Sequence, residues 1–180
     1  MRITTSRLIL RPLLEGDEND LFEYQSNRDI VKYIPWPERT LDEVKAALNN
    51  ALANGKETLK VEKDFIVLAW ELKDSGKVVG QSSLSLESSL DERAEIGWVT
   101  HQDFQRLGLA YEASRALIDY AFENMDLHRI IANIDTRGPG SAMLAERLGM
   151  RLEGTFKDGE FFKGEWCDMW LYAILKGENG

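Results

Sequence analysis

Cysteine is almost missing from this chain: Cys167 is the only one in 180 residues. No internal disulfide can brace the fold, and a reducing compartment, the cytoplasm, is the expected setting. No apolar run approaches the roughly 20 residues that a membrane-spanning helix needs. The opening Met1-Arg2-Ile3-Thr4-Thr5-Ser6-Arg7 lacks the apolar core of a secretory signal. Basic charge is in deficit, with 22 Lys and Arg against 31 Asp and Glu, a net charge of −9. That balance argues against a general affinity for nucleic acid or anionic lipid, both of which need a basic face. It suits cationic partners such as amines, and it equally suits plain solubility. The two histidines, His101 and His128, have no partner at metal-ligand spacing, so no metal is expected. His128 reads as a structural residue at the start of a strand.

Repeats, low-complexity tracts and linker-like stretches are absent too, and the length is that of one domain. A single domain over 1–176 with a short tail over 177–180 is the expectation. Thr5 to Leu14 alternates as a strand, with Leu8 and Leu10 on one face and Ile9 on the other. Asp17 is placed to cap a helix to about Ser26, and Arg28 to Ile34 reads as a further short helical turn. Pro35 and Pro37 bracket Trp36 and break what precedes them. Thr40 and Glu43 have capping-box spacing, which predicts a helix to about Asn54 with Gly55 just beyond it.

Period-two patterning then takes over. Phe65 to Leu72, Lys77 to Glu87 and Ala94 to Thr100 read as three strands on short connections, hence antiparallel. Helical spacing returns with Glu112, Arg115, Asp119 and Glu123 as a polar stripe and Ala113, Leu117 and Ala121 facing inward. Arg129 to Asp135 is a strand parallel to its predecessor, Ser141 to Leu148 a helix ending at Gly149, and Met150 to Phe156 and Glu165 to Leu175 are closing strands. The mixed order implies an α/β or α+β sheet with helices packed on it.

Three segments carry the chemical signal. Gln105-Arg106-Leu107-Gly108-Leu109-Ala110 opens a helix, whose N-terminus exposes unpaired backbone N–H groups and partial positive charge suited to phosphate. The small Gly108 and Ala110 allow close approach. The loop is neither a Walker P-loop, since no Gly-Lys-Ser/Thr follows, nor a three-glycine dinucleotide fingerprint. By itself it is no more than a tight turn. Before it lies the strand Glu95-Ile96-Gly97-Trp98-Val99-Thr100, where Gly97 signals a bulge or a close approach. After it comes the helix Ser141 to Leu148, in which Met143, Leu144 and Leu148 have core spacing and Ser141 can serve as a cap.

Taken in order, a strand, a Gln-x-x-Gly-x-Ala loop, a helix, a strand and a second helix ending in Leu148-Gly149-Met150 resemble the core of the GCN5-related N-acetyltransferases (GNAT). The chain is similar to their RimJ/RimL-type branch, which acetylates ribosomal-protein N-termini and various other amines. The branch resemblance rests on Thr5-Ser6-Arg7-Leu8-Ile9-Leu10-Arg11-Pro12-Leu13, on Tyr120-Ala121-Phe122 with Leu127-His128-Arg129-Ile130, and on Lys163-Gly164-Glu165-Trp166-Cys167-Asp168. It implies a mixed, centrally splayed sheet of six to seven strands flanked by about four helices.

The resemblance also implies roles. Acetyl-CoA would be the co-substrate, its pantetheine arm pairing with the backbone at Trp98, Val99 and Thr100 and its pyrophosphate held by the amides of Gln105, Arg106, Leu107, Gly108, Leu109 and Ala110. A backbone N–H near Val99 would stabilise the oxyanion. Glu95, at the same interval before the loop as the catalytic glutamate of related histone acetyltransferases, would be the general base toward the amine. Ser141 would hydrogen-bond the leaving sulfur, because the tyrosine that many relatives carry as general acid is replaced here by Ala145. Gly138 stands where most relatives have an asparagine that contacts the coenzyme arm. Glu165 and Asp168 could form an acidic rim for a cationic acceptor, and Trp36 could line its pocket or anchor the core. Relatives are monomers or homodimers. Two other readings compete: a coenzyme A-binding regulatory module that has lost catalysis, supported by the missing asparagine and tyrosine, and a nucleotide-binding domain.

Overall fold

The computed structural model describes residues 1–178. Among them are β1 (Ile3–Thr4), β2 (Leu8–Pro12), α1 (Glu18–Gln25), α2 (Arg28–Val31), α3 (Leu41–Asn54), β3 (Phe65–Leu72), β4 (Val78–Ser88), β5 (Arg93–Thr100), α4 (Leu109–Asn124), β6 (Arg129–Asp135), α5 (Pro139–Arg147), β7 (Arg151–Phe162) and β8 (Glu165–Leu175). The strands form one sheet in the order β1-β2-β3-β4-β5-β6-β8-β7. Every neighbouring pair is antiparallel except β5 and β6, which flank α4 and run parallel, as the crossover helix requires. The sheet thus has eight strands rather than six to seven, and five helices rather than about four flank it.

The extra strand comes from the N-terminus. The strand expected over 5–14 is shortened to β2: residues 5–7 form a turn in which the Thr5 N–H donates to the Leu8 carbonyl at 3.0 Å and the Thr5 hydroxyl accepts from the Leu8 N–H at 3.0 Å, folding Ile3–Thr4 back on β2 as β1. Leu8 and Leu10 are fully buried as the alternation predicts. The capping box of α3 forms in both directions: the Thr40 hydroxyl accepts from the Glu43 N–H and the Glu43 carboxylate from the Thr40 N–H. Asp17 sits at the start of α1 but does not cap it with its side chain. Its carboxylate is drawn to the Arg11 guanidinium at 2.8 and 2.9 Å and to the Leu14 N–H.

Each face of the sheet carries its own core. On one side α4 and α5 bury Ala113, Leu117, Ile118, Ala121, Ala142 and Ala145 against Trp70, Leu84, Ile96 and Ile130. On the other, α1 and α3 bury Leu21, Tyr24, Val44 and Leu48 against Ala69, Val78 and Val99. Residues of β5 therefore alternate between the faces, with Ala94 and Ile96 toward α4, and Val99 toward α1 and α3. No described helix is long and apolar enough to cross a membrane. At the C-terminus the Glu178 carboxylate accepts from the Leu175 N–H and pairs with Arg151; residues 179–180 of the expected tail lie outside the described residues.

Candidate active site

The site begins where β5 and β6 part. Their pairing covers only Arg93, Ala94 and Glu95 against Arg129, Ile130 and Ile131. Beyond Glu95 the two strands diverge and enclose a cavity of about 420 Å³. Glu95, Ile96, Gly97, Trp98 and Val99 line it from β5, Asn133 and Asp135 from β6, and Ser141 from the first turn of α5. The expected splay is therefore present, and Glu95, Trp98, Val99 and Ser141 come together at one opening.

The unpaired edge of β5 supplies hydrogen-bonding groups to this gap. β4 pairs with β5 in unbroken register from Leu86↔Ala94 to Gly80↔Thr100, and the His101 N–H donates to the Val79 carbonyl at 2.9 Å. Alternation then turns Val99 and Gly97 toward β4, and Ile96, Trp98 and Thr100 toward the gap. Amide groups at Trp98 and Thr100 face the opening; the Val99 amide is committed to the ladder. Gly97 forms no bulge. Its role is close approach: a Cβ there would lie 2.9 Å from the Ser83 hydroxyl.

Past Thr100 the chain makes a 3-10 turn at Gln102–Phe104 and enters the glycine loop. His101 is buried within that turn, its Nδ1 accepting from the Asp103 N–H and its Nε2 donating to Glu23 at 2.7 Å. It is structural. Two loop residues take left-handed backbone, Arg106 at φ +60 and Gly108 at φ +80, and Gly108 is the N-cap of α4. No side chain caps this helix. The Glu112 N–H is the first to close a helical bond, to the Gly108 carbonyl, which leaves the N–H groups of Leu109, Ala110 and Tyr111 without partners inside the helix. Leu109 is buried and fixes the helix start, while Gln105, Arg106 and Leu107 are exposed. The result is a positively polarised backbone end with unpaired N–H groups.

The opposite rim is built differently. Tyr33, Ile34, Pro35 and Trp36, between α2 and α3, fold over the opening. Trp36 does both things expected of it: it lines the cavity, and it packs on the α1–α3 core with the Arg39 guanidinium 4.4 Å from its ring. The β7–β8 hairpin closes the other side. Lys163 Nζ donates to the Val31 carbonyl at 2.5 Å, and Arg137 joins the Asp135 carboxylate, Glu165 at 2.6 Å and the face of Tyr33 at 5.4 Å. Those contacts occupy Glu165, and Asp168 accepts from the Asp158 N–H; neither lines the cavity. The carboxylates that do, besides Asp135, are Glu95 and Glu160.

Glu95 is half-buried at the base of the gap. Burial pushes its carboxyl above the ordinary value, the charges of Glu87 and Glu160 push the same way, and hydrogen bonding from Asn133 opposes them. Glu160 is raised by burial alone. Asp135 goes the other way: burial would raise it, but the Arg137 guanidinium and backbone hold it below the usual range.

Ser141 is the third residue of α5 and not its cap, which is Gly138; Pro139 leads the helix, and Ser141 lines the cavity. Gly138 lines the cavity, whereas Ala145 is fully buried in the core and lines none of it. Sequence reasoning misses Asn133, Glu160 and the β4 row Gln81, Ser83 and Ser85. The signal for the β4 row is its alternation with Leu84 and Leu86, which are core.

Known proteins agree with this geometry. Residues 7–151 match the acetyltransferase (GNAT) domain family. An uncharacterized N-acetyltransferase, YnaD of Bacillus subtilis, is 34% identical over 178 residues, covering 99% of both chains. The ribosomal protein uS5-alanine N-acetyltransferase of Escherichia coli is 29% identical, over 97% of this chain and 90% of its own. Among solved structures, a GNAT-family acetyltransferase of Bacillus anthracis superposes with a TM-score of 0.86 at 32% identity, covering 98% of this chain and 99% of that one. A spermidine N-acetyltransferase of Vibrio cholerae, in complex with CoA and spermine, shares the fold at TM-score 0.80 and 23% identity, over 97% and 98%. An eight-stranded sheet splayed at its one parallel pair, with a glycine-capped helix beyond the gap, is thus the fold of a known enzyme family: this chain belongs to the GNAT N-acetyltransferases.

Proposed function

We propose that the chain, acting as one catalytic unit over residues 1–176, transfers an acetyl group from acetyl-CoA to a primary amine by direct attack in a ternary complex. The observation that carries the reading is the gap itself. It opens at a half-buried Glu95 of raised pKa, with backbone amides along one wall and an acidic, aromatic rim on the other. The pyrophosphate sits on the amides of Gln105 to Ala110, the pantetheine arm follows the free edge at Trp98 to Thr100, and the thioester reaches the gap between β5 and β6. The coenzyme found in the spermidine enzyme of like fold supports the same use here.

An amine reaches the site as an ammonium ion. Glu95, directly or through a water, takes one proton, and the freed lone pair attacks the thioester carbon. Negative charge builds on the carbonyl oxygen, where the Trp98 amide is placed to receive it. Collapse breaks the carbon–sulfur bond as the remaining excess proton on nitrogen passes to the departing sulfur, directly or through water, leaving a neutral amide and a coenzyme A thiol; the Ser141 hydroxyl steadies that sulfur, and no dedicated acid is needed. Glu95 and Glu160 favour a cationic acceptor. The acceptors of the relatives span a ribosomal-protein alanine and a polyamine, and the reading takes either: a protein N-terminus or a small amine. A cytoplasmic enzyme, as monomer or homodimer, completes it. Thiol release from acetyl-CoA, measured against a panel of N-terminal peptides and polyamines, tests the proposal; tight coenzyme A binding with no turnover on any of them would overturn it for that panel.

A further inference from the structure

The turn between β1 and β2 lies far in sequence from the glycine loop yet is bound to it by several contacts. One carboxylate in the first turn of α4, Glu112, collects four donors from this turn: the Thr5 hydroxyl at 2.6 Å, the Ser6 hydroxyl at 2.8 Å, the Arg7 N–H at 2.7 Å and Arg7 Nε at 2.7 Å. So held, Arg7 reaches with Nη1 to the Leu107 carbonyl at 2.9 Å, while its Nη2 lies 3.5 Å from where a Gly108 Cβ would stand. Burial would raise Glu112, but these hydrogen bonds outweigh it and bring the carboxyl down to about 2, so the clamp is ionised across the physiological range.

The Leu107–Gly108 peptide is planar and trans, so its carbonyl and its N–H point in opposite directions. Pinning the Leu107 oxygen on one side therefore aims the Gly108 N–H at the other. That peptide is joined on one side to Gly108, at φ +80, and glycine tolerates either sign of φ, so the plane is free to turn over at little steric cost unless something holds it. Arg7 also offsets the charge of Glu112, which by itself would place a carboxylate one turn from a diphosphate. We infer that Arg7, oriented by Glu112, is a positioning residue for coenzyme binding: it sets the Leu107–Gly108 peptide so that the loop presents its amides to the pyrophosphate. This rests on the loop being the pyrophosphate cradle.

The test is the affinity of coenzyme A for Arg7→Ala, with 3′-dephospho-coenzyme A and pantetheine as companion ligands. Loss of one aligned hydrogen bond to a charged group predicts about tenfold weaker binding. Because the lesion lies at the pyrophosphate, both coenzyme forms weaken by the same factor and pantetheine, which has none, is unchanged. Arg7→Lys, which keeps a donor and the charge, recovers most of the loss. Should Arg7→Ala fail to fold, Glu112→Gln with the same three ligands carries the test. Equal weakening of pantetheine means general damage and overturns the inference, as does unchanged coenzyme A binding. So does a loss confined to coenzyme A, which would put Arg7 on the 3′-phosphate. Gly108→Glu separates the layers: if that variant folds and still binds coenzyme A normally, the cradle fails and this inference with it. If Gly108→Glu abolishes binding while Arg7→Ala does not, only the clamp fails.

Discussion

The two rims of the gap solve different problems with different materials. The rim proposed to hold the coenzyme is continuous in sequence: strand β5, a tight turn and the start of α4 supply backbone N–H groups whose direction is set by dihedral angles. The acceptor rim is assembled from four separate segments, residues 33–36, the polar row of β4, the end of β6 and the β7–β8 hairpin, and it works with side chains. On the proposed reading, a backbone device recognises what every coenzyme A shares. A side-chain device can be retuned one residue at a time for a new amine.

The sharpest way to break this comparison is to damage one rim and watch the other. Gly108→Glu puts a side chain at φ +80 and a negative charge where the pyrophosphate belongs. It is expected to abolish coenzyme A binding by calorimetry in a protein whose circular dichroism is unchanged. Next in size is Glu95→Gln, at the base of the gap. The turnover rate should fall by roughly 10²-fold or more, with little change in coenzyme affinity. Wild-type rates for Glu95→Gln at every pH would remove Glu95 from the reaction.

The same contrast separates what is legible in the sequence from what is not. The start of α3, the faces of β2 and α4, and the opening of α4 are legible because each depends on a few adjacent residues: Thr40 with Glu43, Leu8 with Leu10, Gly108 before Leu109; α5 begins at Pro139 and not at the expected Ser141. The fold follows from such local signals, reinforced by the family resemblance. The acceptor rim is legible only at Trp36. Residues 157–159 read as lying beyond the end of a strand, yet β7 runs on to Phe162 through a bulge between Phe156 and Glu160, with Asp158 at φ +50. That continuation carries Glu160 into the cavity. The sequence consequently points to Glu165 and Asp168 as the acidic rim, whereas the hairpin uses both for its own bonds. The β1–β2 turn escapes notice for a related reason: Thr5-Ser6-Arg7 has neither Gly nor Pro, and its turn depends on the Thr5 hydroxyl and on Glu112 far down the chain.

Glu160 offers the next test, because it acts on the acceptor rim alone. Its charge is one of the influences that keep Glu95 raised. Glu160→Gln should lower the Glu95 pKa, and since the base works deprotonated, the acid limb of kcat against pH moves to lower pH. The same amine is used for wild type and variant, so the acceptor's own titration cancels. The KM for a cationic amine should rise several-fold, as expected for losing a partly screened ion pair, while coenzyme A affinity stays put. An unmoved acid limb would separate Glu160 from Glu95.

Ser141 gives the smallest expected effect and lies on the border between the rims. It lines the cavity from the first turn of α5, where Gly138 and Pro139 already start the helix, so α5 does not need it as a cap. If it steadies the departing sulfur, Ser141→Ala should cost about one neutral hydrogen bond, some fivefold in kcat, with unchanged melting temperature. The loss should grow with a poorer leaving group, because less acidic thiols depend more on the donor, and shrink with a better one. A loss that appears in KM for the amine, and not in kcat, would move Ser141 to the acceptor rim and redraw the boundary between backbone and side-chain recognition at that point.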